Sequence, residues 1–266
     1  MPELRRSDCA MRVFLASTNI GTNKEEQKGM FDDKRSLYVL CTFFEGEKAC
    51  LKALKGCGNT ENFLLDSGAF SFMSGADCTK PILEEYMDRY IDFINTYDIK
   101  YFFELDVDTI FGIEYVEYLR KRLEERTGKK CIPVWHKGRG VEYWKWMCAN
   151  YSYIAIGGLV FHVKKQEYDA IRRMVDYAYA MGVKVHGLGF TRTSELDNYK
   201  FYSVDSSSYT KSAAIGQQVH FFNGKRIISR QINKGNKKVK LGVLIRHNYD
   251  EWRKYQRYMD SRGGWK

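Results

Sequence analysis

The chain has no long uninterrupted apolar run. None of its apolar stretches approaches the roughly 20 residues of a membrane-spanning helix, and the polar start from Met1 to Arg6 forms no apolar signal segment. These absences predict a cytoplasmic protein with no membrane partner. The core is not limited by them, because 44% of the residues are hydrophobic and 15% are aromatic, enough for a sizeable packed interior.

Cysteines at the spacing of metal sites are also missing. Their number is odd and no Cys-x-x-Cys pair occurs, which argues against a disulfide framework and against a compact zinc knuckle. We therefore expect free thiols, either buried or at the surface. The seven cysteines are Cys9, Cys41, Cys50, Cys57, Cys78, Cys131 and Cys148.

No internal repeat or low-complexity linker divides the chain, so residues 1–266 are predicted to form one domain. Strand-like and helix-like segments alternate, which is the pattern of βα units and a parallel sheet, and the length suits an α/β barrel of about 250 residues. The predicted strands are 11–16, 36–44, 63–66, 101–106, 131–135, 153–156, 183–186 and 201–205. The predicted helices are 47–54, one opened by Thr79-Lys80-Pro81, 114–126, 141–149, 164–181, 193–198 and 248–262.

Three of the predicted strands end on an aspartate: Asp66, Asp106 and Asp205. In a barrel of parallel strands all carboxyl ends open onto one face, and that face holds the active site. Two carboxylates at one site can divide the work, one attacking as a nucleophile while the other moves a proton. Alternatively, a single strand-end aspartate caps a helix or pairs with a lysine. We predict an enzyme built around Asp66 and Asp205.

Glycines and histidines follow other predicted strands. Gly157-Gly158 and Gly187-Leu188-Gly189 let a flat ligand lie against the backbone, or else form tight βα turns. His136, His162 and His186 could bind a catalytic metal with an aspartate, as in barrel hydrolases. No His-x-His or Glu-x-x-His spacing supports a metal, and the alternative is that they are hydrogen-bonded core or site residues.

The positive charge is concentrated after residue 220. From Phe221 to Lys266 there are 13 lysines and arginines and three acidic residues, an excess equal to the whole formal net charge of +10. Asn223-Gly224 predicts a β-hairpin, one arm of which could close the barrel, followed by a basic loop and helix. This tail is either a polyanion contact or a solvated basic surface. The candidate phosphate-binding residues are Lys234, Lys237, Lys238 and Lys240.

Five motifs in order resemble the tRNA-guanine transglycosylase superfamily, and most of all its phage-type branch, which inserts 7-deazaguanine bases into DNA. The resemblance runs from about residue 11 to 225 and is carried by Leu65-Asp66-Ser67-Gly68-Ala69-Phe70, Glu104-Leu105-Asp106, Ile156-Gly157-Gly158-Leu159, His186-Gly187-Leu188-Gly189 and Ser203-Val204-Asp205-Ser206.

The resemblance implies a (β/α)8 TIM-like barrel in the cytoplasm of a bacterium or a phage-infected host. In it Asp205 attacks the sugar C1′ and expels guanine, Asp66 is the general acid/base, and no metal or cofactor takes part. Asp106 matches the aspartate that hydrogen-bonds the guanine edge. The other implied base-site residues are Ser67, Gly68, Trp135, His136, Gly157, Gly158, Gly187 and Gly189.

Two features depart from that family. Trp135-His136 stands where the family often has glutamine, and the zinc cluster of the tRNA enzymes is missing, since no cysteine follows Cys148. The expected substrates are therefore DNA and a 7-deazaguanine base, and a homodimer is left open. The alternatives are queuine-type exchange on tRNA, a metal-dependent barrel hydrolase, and a non-catalytic nucleic-acid-binding protein.

Overall fold

Eight short parallel strands form one sheet that curls into a barrel. The computed structural model describes residues 11–16, 38–159, 167–190, 192–232 and 239–262. Its strands are β1 Arg12–Leu15, β2 Val39–Thr42, β3 Phe63–Asp66, β4 Tyr101–Phe102, β5 Val134–Trp135, β6 Tyr153–Ile156, β7 Lys184–Gly187 and β8 Ser203–Ser206. Their order is β4-β3-β2-β1-β8-β7-β6-β5, and a parallel bridge from Phe103 to Ile132 joins the two ends of this row. The predicted (β/α)8 barrel is confirmed.

Helices alternate with these strands and pack around them. They are α1 Glu47–Cys57, α2 Ala69–Met73, α3 Lys80–Thr96, α4 Asp108–Phe111, α5 Ile113–Thr127, α6 Gly140–Asn150, α7 Tyr168–Ala180, α8 Ser208–Gly216 and α9 Leu241–Asp260. Within the described ranges, none of them combines the length and the apolar character needed to cross a membrane.

Side chains along each strand alternate between the barrel interior and the helices. In β1, Val13 and Leu15 belong to the large outer core, whereas Phe14 packs inside the barrel with Leu64 and Phe103. The same period of two places Asp66, two residues after Leu64, and Asp205, two residues after Ser203, on the inner side at the carboxyl ends of their strands. The strand alternation therefore brings both carboxylates into the barrel mouth.

The last helix, α9, covers β1 and the start of β2. Its Gln256 donates through Nε2 to the carbonyls of Val13 at 2.7 Å and Tyr38 at 2.8 Å. Near its other end, Asn248 donates to the carbonyl of Tyr209, which lies in the helix that follows β8. The helix therefore runs antiparallel to the strands and begins on the mouth side. It starts seven residues earlier than predicted, and its Tyr249, Trp252 and Tyr255 are buried.

The hairpin does not close the barrel, so that prediction was wrong. Its strands, β9 Gln218–Phe222 and β10 Ile227–Gln231, pair with each other in a separate sheet, while β8 itself pairs with β1 over four residue pairs. The turn is also shifted by one residue. Asn223 donates from its N–H to the carbonyl of Arg226, and Gly224 takes the left-handed φ of 88° that the reversal requires.

The strand predicted to end at Asp106 is shorter than expected. β4 ends at Phe102, and across the β4–β5 seam the ladder consists of two two-residue strands and one bridge. Glu104, fully buried at this seam, accepts hydrogen bonds through Oε1 from the Val134 N–H at 2.8 Å and from Arg139 at 2.7 Å. Its Oε2 accepts from Arg120 at 3.0 Å. One carboxylate thus joins β4, β5, α5 and the loop before α6.

We expect Glu104→Gln to lower the free energy of unfolding by about 3 kcal/mol, because it leaves two buried guanidinium groups without their shared counter-charge. Urea unfolding measures this loss. Glu142→Gln on α6 is the control, since the Glu142 side chain is 86% exposed and pairs with Lys145 at the surface, where such a pair contributes about 0–1 kcal/mol. Equal stabilities of the two variants would contradict a structural role for the seam carboxylate.

Candidate active site

Three aspartates meet at the mouth of the barrel. Asp66 is the last residue of β3, Asp205 lies in β8, and Asp106 lies in the turn after the bridge residue Phe103. The charges of Asp106 and Asp205 both act on Asp66. The sequence-predicted carboxylates therefore belong to one site, although they come from distant parts of the chain.

Asp205 is oriented through one of its two oxygens. Its Oδ1 accepts a hydrogen bond from the Gly189 backbone N–H at 2.6 Å, and His186 Nε2 lies 3.2 Å from the same oxygen. Among the described residues, none donates to Oδ2. The Asp205 side chain is 11% exposed, so the two contacts to Oδ1 fix the carboxylate in position and leave Oδ2 without a described donor.

Asp66 has a different environment. Burial raises the pKa of this carboxyl to about 7, and the negative charges of Asp106 and Asp205 act in the same direction. A hydrogen bond at 3.2 Å from the Gly68 N–H to Oδ2 opposes the shift only in part. At neutral pH Asp66 can therefore both give and take a proton.

Asp106 pairs with His136, which follows β5. His136 Nε2 lies 2.6 Å from Asp106 Oδ2. Burial lowers the pKa of His136, but the hydrogen bond and the charge of Asp106 outweigh it, so the net pKa is raised. The imidazole packs against Gly157, where an added Cβ would lie 2.4 Å from His136 Cε1. The predicted glycine thus makes room for the histidine ring.

Several other residues that the sequence predicted for the site have packing roles beside it. Trp135 faces the helices, where its indole N–H donates to the Gly140 carbonyl at 2.7 Å. Ser67 is completely buried, and a Cβ on Gly68 would lie 2.6 Å from Phe44 Cβ. Two of the glycines after the later strands likewise have structural roles: a Cβ on Gly187 would lie 3.1 Å from Phe201, and Gly158 has a left-handed φ of 73°.

Two predicted groups fall partly outside the described residues. Lys234, Lys237, Lys238 and His162 lie there, whereas Lys240 is exposed immediately before α9, on the mouth side. Of the other two histidines, His136 pairs with Asp106 and His186 pairs with Asp205. In the described part of the chain no three His, Cys, Asp or Glu side chains are grouped as metal ligands.

Sequence reasoning missed three residues of the site. Ser203 and Tyr153, inside the barrel, extend the contacts of His186, and the signal that could have found them is their inward register in β8 and β6. Phe70 is 59% exposed on α2, immediately after the β3 carboxyl end. An exposed aromatic residue so close to a strand-end aspartate is a signal of a ligand surface.

Comparison with known proteins adds little about chemistry. No family model matches the chain, and no curated protein is significantly similar in sequence. The solved structure of QR15, an aldolase, is 12% identical with a TM-score of 0.47, over 78% of this chain and 93% of that one. The carboxyl transferase domain of Rhizobium etli pyruvate carboxylase with 3-hydroxypyruvate is 13% identical with a TM-score of 0.48, over 96% of this chain and 49% of that one. The barrel assignment rests on the strand topology itself.

The raised pKa of Asp66 makes stability depend on pH. Its folded value of about 7 exceeds the value of about 3.9 in an unfolded chain, so the folded state binds more protons between these limits and becomes less stable as pH rises through them. Asp66→Asn removes this loss. We expect the variant to gain stability over the wild type from pH 4 to pH 7.5, by on the order of 2 kcal/mol after allowing for partial exposure.

Thermal or urea unfolding across that pH range measures the difference. Asp77→Asn, at an exposed position in the connection between α2 and α3, is the matched control and should follow the wild type at every pH. A constant offset between Asp66→Asn and the wild type would show that Asp66 does not titrate in this range.

Proposed function

We propose that this protein is a nucleic-acid guanine transglycosylase, a pentosyltransferase that exchanges guanine in DNA for a 7-deazaguanine base. The observation that carries the proposal is the pair of carboxylates with unlike surroundings. Asp205 Oδ1 accepts from the Gly189 N–H and lies 3.2 Å from His186 Nε2, whereas Asp66 has a pKa of about 7. Environments that separate two carboxylates in this way assign one to attack and the other to proton transfer.

The proposed reaction has two displacements at C1′ of the sugar. Asp205 Oδ2 attacks C1′, the C1′–N9 bond breaks, and protonated Asp66 gives its proton to the departing guanine. Asp66 then takes a proton from the incoming base, whose nitrogen attacks C1′ and releases Asp205. The sequence begins and ends with the same protonation state and needs no redox partner, which matches retaining glycosyl transfer.

Base recognition is assigned to the Asp106–His136 pair. His136 occupies Oδ2 of Asp106, which leaves Oδ1 to accept from the N–H groups on the guanine edge. Phe70, exposed on α2, offers an aromatic face for the base once it has left the helical stack.

The decisive test is a covalent protein–nucleic acid adduct. We expect the wild type to incorporate labelled guanine and to form a denaturant-resistant adduct, and Asp205→Asn to lose both while keeping the thermal stability of the wild type. Duplex DNA and tRNA are compared side by side, with Asp77→Asn as the active control. Adduct formation with Asp205→Asn at the normal level would exclude Asp205 as the nucleophile, and activity on tRNA alone would favour the tRNA alternative.

The basic segment before α9 is proposed to hold the nucleic-acid backbone. Replacing Lys234, Lys237, Lys238 and Lys240 with glutamine should weaken binding to all sequences alike. The slope of log affinity against log salt should fall by up to about 0.9 for each phosphate that the variant no longer neutralises. The control replaces exposed lysines of the outer helices, Lys52, Lys55, Lys121 and Lys145. Equal slopes for the two quadruple variants would make the segment a solvated surface.

A further inference from the structure

A buried chain of hydrogen bonds leads from Asp205 into the barrel. His186 Nε2 lies 3.2 Å from Asp205 Oδ1, and His186 Nδ1 lies 2.7 Å from Ser203 Oγ. Ser203 Oγ in turn lies 2.6 Å from the hydroxyl of Tyr153. His186 and Ser203 are completely buried, and Tyr153 is 8% exposed. The four side chains come from β6, β7 and β8.

For an ionised Asp205 and a neutral His186 ring, the direction of each hydrogen bond in this chain follows from which groups can donate. An ionised Asp205 can only accept, so His186 must carry a proton on Nε2. In a neutral ring Nδ1 is then an acceptor, which takes the hydroxyl proton of Ser203. The Ser203 oxygen accepts in turn from Tyr153. This is the arrangement in which each described donor faces an acceptor and no proton is shared.

The surroundings of His186 keep this arrangement in place. Its ring packs against Phe14, with ring centres 6.0 Å apart, and against Phe103, with centres 5.3 Å apart. The polar side chains bonded to it are Ser203 and Asp205, and within the described residues Asp205 is the only charged group that contacts it. Apolar walls therefore prevent the imidazole from turning away to another partner.

We propose that His186 is a positioning residue for Asp205, with its tautomer set by Ser203 and Tyr153. The inference rests on the proposed function and deepens it. Because the Nε2–H and the Gly189 N–H both hold Oδ1, the attack comes from Oδ2. In the glycosyl ester Oδ1 is the carbonyl oxygen, and the same two donors stabilise the charge that returns to it when the ester bond breaks.

Variants at position 186 separate positioning from packing. His186→Phe keeps an aromatic ring between Phe14 and Phe103 but has no donor, whereas the amide of His186→Gln can still donate to Asp205. For wild-type-like KM, we expect kcat to fall about 10²-fold in His186→Phe, the size typical of losing one preorganised donor. His186→Gln should recover at least about tenfold of this loss.

The rest of the chain predicts a graded series. Ser203→Ala should reduce kcat less than His186→Phe, and Tyr153→Phe least, because each lies one hydrogen bond further from the reacting carboxylate. Single-turnover measurements of adduct formation and breakdown should show both steps slowed in His186→Phe. Equal losses in His186→Phe and His186→Gln, or losses that follow thermal stability alone, would overturn the positioning role.

An NMR measurement without substrate tests the positioning role of His186 separately from the transglycosylase proposal. ¹⁵N NMR of the full chain should show His186 protonated on Nε2 and unprotonated on Nδ1 at neutral pH, with a mixture of tautomers in Ser203→Ala. If the wild type forms no adduct on DNA or tRNA but this tautomer is found, the transglycosylase proposal fails and the orienting contact stands. A proton on Nδ1 alone would remove the donor to Asp205 and refute the inference whatever the activity.

Discussion

The barrel depends on the ion network at the β4–β5 seam. Both strands there are only two residues long, so backbone pairing alone gives this seam little strength. Glu104 supplies the missing contacts by bonding the Val134 N–H, Arg120 and Arg139 with one fully buried carboxylate. Arg139 also donates to Asp108 through two N–H groups, each at 3.1 Å. A side-chain network replaces the ladder where the ladder is weakest.

The same network positions Asp106 and His136 of the candidate site. Asp106 lies between Glu104 and Asp108 in sequence, so both ends of its turn are tied to Arg139. His136 precedes the Lys137–Arg139 turn, whose arginine makes those contacts. The hydrogen bond between His136 and Asp106 therefore joins two segments that Arg139 already connects. The contacts at the seam thus fix the geometry of this hydrogen bond.

The positions of Asp66 and Asp205 were predicted from the sequence more accurately than the bounds of the neighbouring strand β4. The strand-end positions of Asp66 and Asp205 were enough to predict that both lie on one face, because the carboxyl ends of all strands in a parallel barrel open onto the same face. The early end of β4 could not be predicted, since Phe103 to Asp106 alternates apolar and charged residues as a strand does. The structure buries Glu104 with Arg120 and Arg139, a contact that the local sequence does not show. Tertiary contacts overrode local propensity there.

Other differences have the same origin. Trp135 was expected in the base site because Trp135-His136 stands where the resembled family often has glutamine. Neighbouring strand residues face opposite sides, however, which puts the indole among the helices. The first turns of α9 were missed because the apolar run Leu241 to Ile245 is short and contains Gly242, which disfavours a helix interior. Their burial against β9 and α8, seen at Leu244 and Ile245, depends on a hairpin whose location no local pattern gives.

The protonation state of His136 affects that of Asp66 through the charge of Asp106. The charge of Asp106 raises the pKa of both Asp66 and His136, so these groups respond to one another. While His136 is cationic, it offsets the charge of Asp106 and favours release of the proton from Asp66. When His136 loses its proton, the uncompensated Asp106 favours a protonated Asp66. A neutral glutamine could form a hydrogen bond at this position, but it carries no charge that could shift the protonation state of Asp66.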